Sequence, residues 1–305
     1  MEKVKSLLCI YHSVDLDGWM SAAIVKKWAE ENDCNATFLG WNYGQPVPDT
    51  IGYDILVLCD VSFPAYDMLA LQKRYYVAGG ASGFIWCDHH ISAINAVKEI
   101  FEANAYPSYP EGLRSTAFAA CELTWQHFFP ELIMPEIVRM LGRYDCFGHK
   151  GTKEEYNVLA FQYGARARLT NYEQCYIALV DHPEMWANDL LSDGRVIYEF
   201  LKTEAIQAWN NAYGVIMLTQ EQGWVNIACI NKERFNPVNF GIDYHGQGYD
   251  VVACFWYQDR KWRFSLYNDN GKIDCSVIAK CFGGGGHKGA AGFVSDDIKP
   301  WENKN

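Results

Sequence analysis

Three short apolar runs in the first half of this 305-residue chain are followed closely by aspartate or histidine. Together with an aspartate that ends a helical pattern, these residues are His12, Asp15, Asp17, Asp60, Asp88, His89, His90 and Asp145. Imidazole nitrogens and carboxylate oxygens are ligands of divalent metals, and so many carboxylates can share a pocket only where cations neutralise them. The set therefore predicts a divalent-metal centre.

Six ligands suffice for two metal ions that share one carboxylate. A mixed histidine and aspartate set suits Mn²⁺, with Mg²⁺ or another divalent ion as an alternative. Two such ions, about 3.5–4 Å apart, stabilise the attacking and leaving oxygens of a phosphoryl displacement. Taken alone, Asp60 is more typical of a turn or helix cap, and a histidine pair of an ordinary surface or core. Their recurrence at successive strand ends favours the metal centre.

The elements that must position these side chains alternate between apolar runs and amphipathic stretches, which is typical of a parallel sheet with helices on both faces. The predicted strands are 6–11, 37–41, 54–59 and 84–87. The predicted helices are 18–32, 113–129, 133–144, 154–163 and 183 to about 213, the last interrupted near 192–194. Because the carboxyl ends of parallel strands lie on one rim of the sheet, this fold would gather the aspartates and histidines.

The second part of the chain has a different pattern, with predicted strands at 224–230, 249–257 and 261–267 and a hairpin turn at 258–260. We therefore predict an α/β protein with a mainly parallel N-terminal sheet, a linker helix and a smaller C-terminal α/β domain. The expected boundaries are 1–182 for the metal-binding domain, 183–218 for the helical linker and 219–305 for the substrate-binding domain.

Four consecutive glycines, Gly283–Gly286, precede His287 and Lys288. Glycine lets backbone N–H groups approach a ligand closely, and the two following side chains add hydrogen-bond donors and positive charge. A flexible linker is the alternative, but this run lies inside the second domain, between an apolar segment and a run of small residues. We predict a phosphate-binding loop.

Composition excludes several classes of protein. With 50% hydrophobic residues and a net charge of −11, the chain is neither disordered nor a generic binder of long nucleic acid. The first 218 residues contain 16 basic and 27 acidic side chains, and the remainder contain 10 of each. The start of the chain is too polar for a signal peptide, and no apolar run could span a membrane. We expect a cytoplasmic protein with no membrane partner, its 11 cysteines reduced, and a homodimer as an open alternative.

The motifs HSVDLDG, VLCD, CDHH and RYD resemble the four motifs of the DHH phosphoesterase superfamily. The glycine-rich segment resembles the GGGH-x-x-AAG signature of the DHH-associated C-terminal domain, and the two halves together are similar to the bacterial oligoribonuclease (nanoRNase) and cyclic-dinucleotide phosphodiesterase branch. The resemblance covers residues 7 to about 293. It implies hydrolysis of phosphoester bonds with two divalent cations, with Mn²⁺ expected and Mg²⁺ or Co²⁺ as alternatives.

The resemblance also implies roles for individual residues. It assigns one ion to His12, Asp15 and Asp60, and the other to Asp17, Asp60, His89 and Asp145. The implied catalytic residues are His90 facing the scissile phosphate, the bridging Asp60, and Asp88 orienting a histidine. The candidate substrate contacts are Arg114, Ser115, Tyr267, Gly284, Gly285, Gly286 and His287, with Ser115 as a helix N-cap. Tyr267 stands where many members have an arginine, and it is a candidate for stacking on a base.

These inferences favour a two-metal phosphodiesterase that hydrolyses very short oligoribonucleotides to nucleoside 5′-monophosphates. Its partner would be a short oligonucleotide or nucleotide, because an acidic surface disfavours long strands. The alternative substrates are pAp, linear or cyclic dinucleotides and polyphosphate. A non-catalytic nucleotide sensor is the alternative from another class. The aromatic candidates for weak base stacking are Trp41, Tyr43 and Tyr244.

Overall fold

The computed structural model describes residues 4–76, 82–233, 235–286 and 288–303. Contacts within the chain divide it into two compact units, Met1–Tyr198 and Glu199–Asn305. Within the described ranges, no helix combines the length and apolar character that crossing a membrane requires.

The N-terminal unit is built on a four-stranded parallel sheet of order β2-β1-β3-β4. Its strands are β1 (Ser6–His12), β2 (Asn35–Trp41), β3 (Ile55–Cys59) and β4 (Phe84–Cys87). The central strands β1 and β3 and the strand β4 are almost wholly buried, because they lie between two layers of helices. Burial on both faces explains why the sequences of these strands are continuously apolar. The predicted parallel sheet is confirmed.

Helices cover both faces of this sheet, as predicted. One face packs on α2 and α3, and the other on α1 and the helices from α4 onward. The helices are α1 (Leu16–Glu31), α2 (Ala65–Tyr75), α3 (Ile91–Ala103), α4 (Ala120–Phe128), α5 (Glu136–Asp145), α6 (Glu155–Arg168), α7 (Tyr172–Val180) and α8 (Pro183–Trp209).

The helix predicted over 113–129 begins only at Ala120. The preceding residues run beside β4 instead, with Arg114 paired to Asp88 and Glu111 paired to Ile85. This segment satisfies hydrogen bonds at the open edge of β4, which a sequence pattern for a single helix does not reveal. The prediction that Ser115 is a helix N-cap is therefore wrong.

The interruption predicted near residues 192–194 is also absent, because α8 runs unbroken through Gly194. A Cβ on Gly194 would lie 1.9 Å from the carbonyl oxygen of Ala160, and one on Gly164 would lie 1.9 Å from that of Leu190. The two glycines therefore let α6 and α8 pack with their backbones almost in contact.

Replacing Gly194 with alanine should lower the free energy of unfolding by about 1–3 kcal/mol, because the added methyl group overpacks the crossing of the two helices. In an unconstrained helix the same substitution would raise stability by up to about 1 kcal/mol. Urea denaturation of Gly194→Ala against wild type gives the sign directly. Equal or higher stability of the variant would contradict the close packing.

The C-terminal unit has a six-stranded sheet of order β5-β6-β7-β8-β10-β9, antiparallel except between β6 and β7. Its elements are β5 (Tyr213–Thr219), β6 (Gly223–Asn231), β7 (Val251–Gln258), β8 (Lys261–Tyr267), α9 (Cys275–Lys280), β9 (Gly285–Gly286) and β10 (Ala290–Ser295). The α/β class is as predicted. Residues 213–218, placed in the helical linker by the sequence pattern, form most of β5.

The hairpin turn between β7 and β8 lies at the predicted position. Its central residues, Asp259 and Arg260, have φ values of 53° and 63°. Two successive residues with positive φ form the type of tight turn whose twist matches that of the two strands of a β-hairpin.

Candidate metal centre

Two of the candidate ligands are placed by the tight connection from β1 to α1. His12 is the last residue of β1, and Asp15 is the N-cap of α1, where its Oδ1 accepts a hydrogen bond from the Gly18 N–H at 3.0 Å. The same carboxylate holds His12, with 2.6 Å between Oδ2 and Nδ1. A Cβ on Gly18 would lie 2.1 Å from the carbonyl oxygen of His12. The glycine is therefore what allows α1 to start this close to the strand.

Backbone amides at the start of α4 hold the Asp17 carboxylate in place. Its Oδ2 accepts the Ala120 N–H at 3.0 Å, and its Oδ1 accepts the Cys121 N–H at 2.7 Å. Burial raises the pKa of Asp17 to about 7, and the nearby Asp60 adds to that rise. Sequence reasoning missed the two amides because it started the helix too early. No sequence signal marks this helix start, because the N-cap residue Ala119 has no side-chain acceptor; only the carboxylate of Glu122 caps the turn, by accepting the Ala119 N–H at 3.1 Å.

Asp60 has an unusual backbone and an unsatisfied side chain. It follows β3 with a φ of 60°, a conformation that aspartate tolerates better than most residues, and its N–H donates to the Cys87 carbonyl at 3.0 Å. Its side chain is buried, which raises its pKa. Carboxylate oxygen Oδ1 has no hydrogen-bond partner. A buried carboxylate oxygen in this condition is costly unless a cation lies beside it.

Asp88 organises the two histidines that follow β4. It is fully buried, and its Oδ1 accepts the His89 N–H at 2.8 Å and lies 2.7 Å from Nδ1 of His90. Its other oxygen accepts the indole N–H of Trp86 at 3.2 Å. Because a carboxylate accepts, Nδ1 of His90 carries the proton, and Nε2 lies on the far side of the ring. Asp88 thus orients His90 rather than the ring of His89.

The predicted ligands converge into two neighbouring donor groups. The first is His12, Asp15 and Asp60, and the second is Asp17, His89 and Asp145. In each group the donor atoms lie within 4.8 Å of one another. A third grouping, of Asp60, His89 and His90, overlaps both.

Asp60 joins the two donor groups through its two oxygens. Its Oδ2 lies 3.2 Å from Nδ1 of His12, and its Oδ1 lies 3.4 Å from Nε2 of His89. The same nitrogen of His89 lies 3.2 Å from the Asp145 carboxylate, at the end of α5. The resemblance implies that Asp60 lies between two ions, and the binding of metal by these groups stays a prediction.

Within the metal-free cluster, positive charge beside the carboxylates comes from the imidazoles. Burial alone would lower the pKa of His12, but hydrogen bonds with Asp15 and Asp60 outweigh it and raise the pKa to about 10. At His89, burial is likewise outweighed by Asp60, Asp17 and Asp145, and the pKa is again raised to about 10. The metal-free cluster therefore keeps protons on its imidazoles. Divalent cations would supply that charge instead, and the donor set with its unpartnered Asp60 oxygen fits them.

Of the candidate substrate contacts in the N-terminal unit, Arg114 has a clear structural role. Its Nη1 donates to the carbonyls of Trp86 and Glu111, both at 2.9 Å, and the guanidinium lies 5.5 Å from the centre of a Trp86 ring. Ser115 donates its backbone N–H to the Asp88 carbonyl at 3.3 Å, and its hydroxyl accepts the Ala117 N–H. Both residues border the Asp88 segment, and contact of their side chains with substrate stays a prediction.

The glycine-rich segment of the C-terminal unit is a tight hairpin. β9 pairs with β10, and a Cβ on Gly284 or Gly286 would lie 2.1 Å or 2.6 Å from backbone atoms of β10. Gly285 is exposed, and its Cβ would meet no atom within 4 Å. Two glycines are therefore explained by packing, whereas Gly285 leaves room for a ligand.

Two further predictions concern residues near this hairpin. Tyr267 pairs with Ala290 at the start of β10, so it adjoins the hairpin. His287 lies outside the described residues. Contact of the hairpin with phosphate stays a prediction.

Comparison with known proteins places the fold. No family model matches the chain. The uncharacterized protein R106 of Acanthamoeba polyphaga mimivirus is 22% identical over 271 residues, which are 85% of this chain. The chain spans 57% of the length of that curated relative.

Two solved structures share the architecture. The pGpG-specific phosphodiesterase PggH of Vibrio cholerae is 15% identical with a TM-score of 0.54, covering 97% of this chain and 95% of that one. An exopolyphosphatase-related protein of Bacteroides fragilis is 14% identical with a TM-score of 0.50, covering 95% of this chain and 86% of that one. At these identities the likeness shows the fold alone, and it is the two-domain α/β fold that the resemblance to the DHH superfamily implies.

Proposed function

We propose that the chain is a metal-dependent phosphodiesterase that hydrolyses very short oligoribonucleotides to nucleoside 5′-monophosphates. The observation that carries this proposal is the pair of donor groups that meet at Asp60, whose buried Oδ1 has no hydrogen-bond partner. Two adjacent cation sites with a shared carboxylate are suited to displacement at phosphorus.

Each residue of the centre has a distinct task in this proposal. His12, Asp15 and Asp60 would hold one cation, and Asp17, His89, Asp145 and Asp60 would hold the other. When bound, the two cations neutralise charge on the phosphoryl group and lower the pKa of a water molecule.

His90 would contact the substrate directly. Asp88 fixes the proton on Nδ1 of His90 and leaves Nε2 as the group that faces the phosphoryl oxygens. A protonated Nε2 would donate a hydrogen bond to an oxygen that gains negative charge in the transition state. Burial of Asp88 keeps that orientation fixed.

The choice of a short substrate rests on charge and on fold. An excess of acidic over basic side chains in the first 218 residues, 27 against 16, opposes a long polyanion. The name of PggH, a pGpG-specific phosphodiesterase, supports a dinucleotide as the shortest substrate. The exopolyphosphatase-related neighbour keeps polyphosphate as a second candidate, beside pAp and cyclic dinucleotides. A complete donor set weighs against a non-catalytic nucleotide sensor.

Product analysis tests this proposal. Purified protein would be incubated with 5′-labelled RNA of two, three, five and twenty-four nucleotides in Mn²⁺, with Asp60→Asn as the control. We expect rapid conversion of the short substrates to mononucleotides, slow or absent cleavage of the longest, and loss of all cleavage in the variant.

Other outcomes separate the alternatives. Turnover of pAp, tripolyphosphate or a cyclic dinucleotide in place of RNA would show that the proposed substrate is wrong and that the proposed phosphoesterase activity is right. Binding of nucleotides without turnover of any of these compounds would overturn the proposal that the chain is an enzyme and would favour a non-catalytic nucleotide sensor.

A further inference from the structure

An aromatic side chain with no assigned role lies next to the metal centre. Tyr43 follows β2 by two residues, in a connection whose backbone is well braced. Gln45 donates its N–H to the Asn42 carbonyl at 3.2 Å, and the Trp41 indole donates to the Pro46 carbonyl at 3.0 Å. The loop therefore presents Tyr43 from a fixed backbone.

The Tyr43 ring lies near two histidines of the centre. Its centroid is 6.0 Å from that of His12 and 6.2 Å from that of His90, with interplanar angles of 65° and 70°. His12 belongs to the first donor group, and His90 is the group expected to face the phosphate. Any substrate whose phosphorus lies between them would pass beside the tyrosine ring.

Burial raises the pKa of the Tyr43 phenol to about 12, and the nearby Asp88 and Asp60 carboxylates add to that rise while Ser62 opposes it. The phenol group is therefore uncharged at neutral pH. The residue as a whole is nevertheless 47% exposed. An aromatic ring that stands on a braced backbone and is still open to solvent offers a stacking surface at little entropic cost.

Two other aromatic candidates, Trp41 and Tyr244, are too buried for this role. Trp41 and Tyr244 are 5% and 1% exposed, so neither ring has a free face for a ligand. Of the two aromatic candidates in the N-terminal unit, Trp41 and Tyr43, it is Tyr43 that combines exposure with proximity to the donor groups.

We propose that Tyr43 stacks on the nucleobase of the nucleotide whose phosphate binds at the metal centre. A ribose joins base and phosphate, so a phosphate held between His12 and His90 places its base within reach of the adjacent ring. The proposal rests on the proposed function and deepens it: the site would select nucleotide esters over inorganic polyphosphate, because polyphosphate has nothing to stack.

Calorimetric titration with AMP and with inorganic phosphate, in the presence of Mn²⁺, tests the stacking without relying on turnover. Tyr43→Ala should weaken AMP binding about tenfold, the order of effect of one stacked base, and leave phosphate binding within about twofold. Tyr43→Phe, which keeps the ring, should retain wild-type affinity for AMP. Tyr66→Ala removes a tyrosine that is 69% exposed on α2 and serves as the matched control. Only AMP binding that Asp60→Asn abolishes is assigned to this site.

Equal loss of AMP and phosphate binding in Tyr43→Ala would overturn the proposal, because the tyrosine would then merely support the metal centre. Unchanged AMP binding would overturn it as well. A hydrolysis assay tests the proposed function separately from the stacking role of Tyr43. If wild type cleaves neither pApA nor tripolyphosphate while AMP binding still depends on the Tyr43 ring, the stacking role stands and the proposed activity fails.

Discussion

Replacing Asp60 with asparagine is expected to lower kcat on a short oligonucleotide by roughly a thousandfold or more. Loss of a single group that stabilises charge in a transition state costs about 10²–10³ in rate, and Asp60 borders both donor groups at once. Asparagine is close in size and tolerates the positive φ of this position, so the backbone should be retained. Rate measurements at saturating substrate and Mn²⁺ give the effect.

A thermodynamic readout accompanies the kinetic one. At a free Mn²⁺ concentration about 100 times Kd, each bound ion should stabilise the wild-type fold by about 2.7 kcal/mol, and Asp60→Asn should lose most of that gain. The matched control is Asp189→Asn, an exposed aspartate on α8, which should behave as wild type in both measurements. A variant at position 60 that keeps both its rate and its Mn²⁺-dependent stabilisation would rule out a shared carboxylate.

The parts of the fold that the sequence predicts well are those where one physical cause dominates. Strands β4 and β8 have the predicted bounds, because a short apolar run buried on both faces and a hairpin with a tight turn both leave strong local patterns. The candidate ligands can likewise be read from the chain, since they lie at the ends of β1, β3 and β4, at the start of α1 or at the end of α5. Metal binding by them stays a prediction. What gathers these residues is the parallel order of the sheet.

The failures come from contacts between elements distant in sequence. The sequence pattern predicts residues 113–119 as helix, but residues 111–115 bond to the edge of β4, where unpaired backbone groups outweigh local propensity. Gly194 looks like a helix break in isolation, yet it is the point where α8 touches α6. The amides of Ala120 and Cys121 that hold Asp17 carry no side-chain signature. The local sequence of an element does not show which distant segment of the chain packs against it.

The division of the six candidate ligands between two ions could not be predicted from the residues alone. Spacing along the chain does not separate the ligand sets, and the resemblance to a known family supplied that division. The structure places His12 in the first donor group and Asp17 in the second, although both lie at the junction of β1 and α1. The closeness of α1 to β1 at this junction depends on Gly18.

Gly18→Ala should therefore damage the metal centre although no ligand is changed. The new Cβ would lie 2.1 Å from the carbonyl oxygen and 2.7 Å from the Cβ of His12, so α1 must move away from β1. We expect a loss of about 1–3 kcal/mol in the free energy of unfolding and a drop in Mn²⁺ affinity of about 10–100-fold. Calorimetric titration with Mn²⁺ and urea denaturation measure the two effects.

The control for Gly18→Ala is the same substitution where space is free. A Cβ on Gly285 would meet no atom within 4 Å, so Gly285→Ala should leave Mn²⁺ affinity and unfolding unchanged. Alanine normally stabilises a helix relative to glycine, so a destabilised Gly18→Ala variant already reverses the intrinsic trend. Loss of stability with full Mn²⁺ affinity would show that the glycine serves packing only. Parallel loss of both would show that the helix start sets the geometry of the ligands.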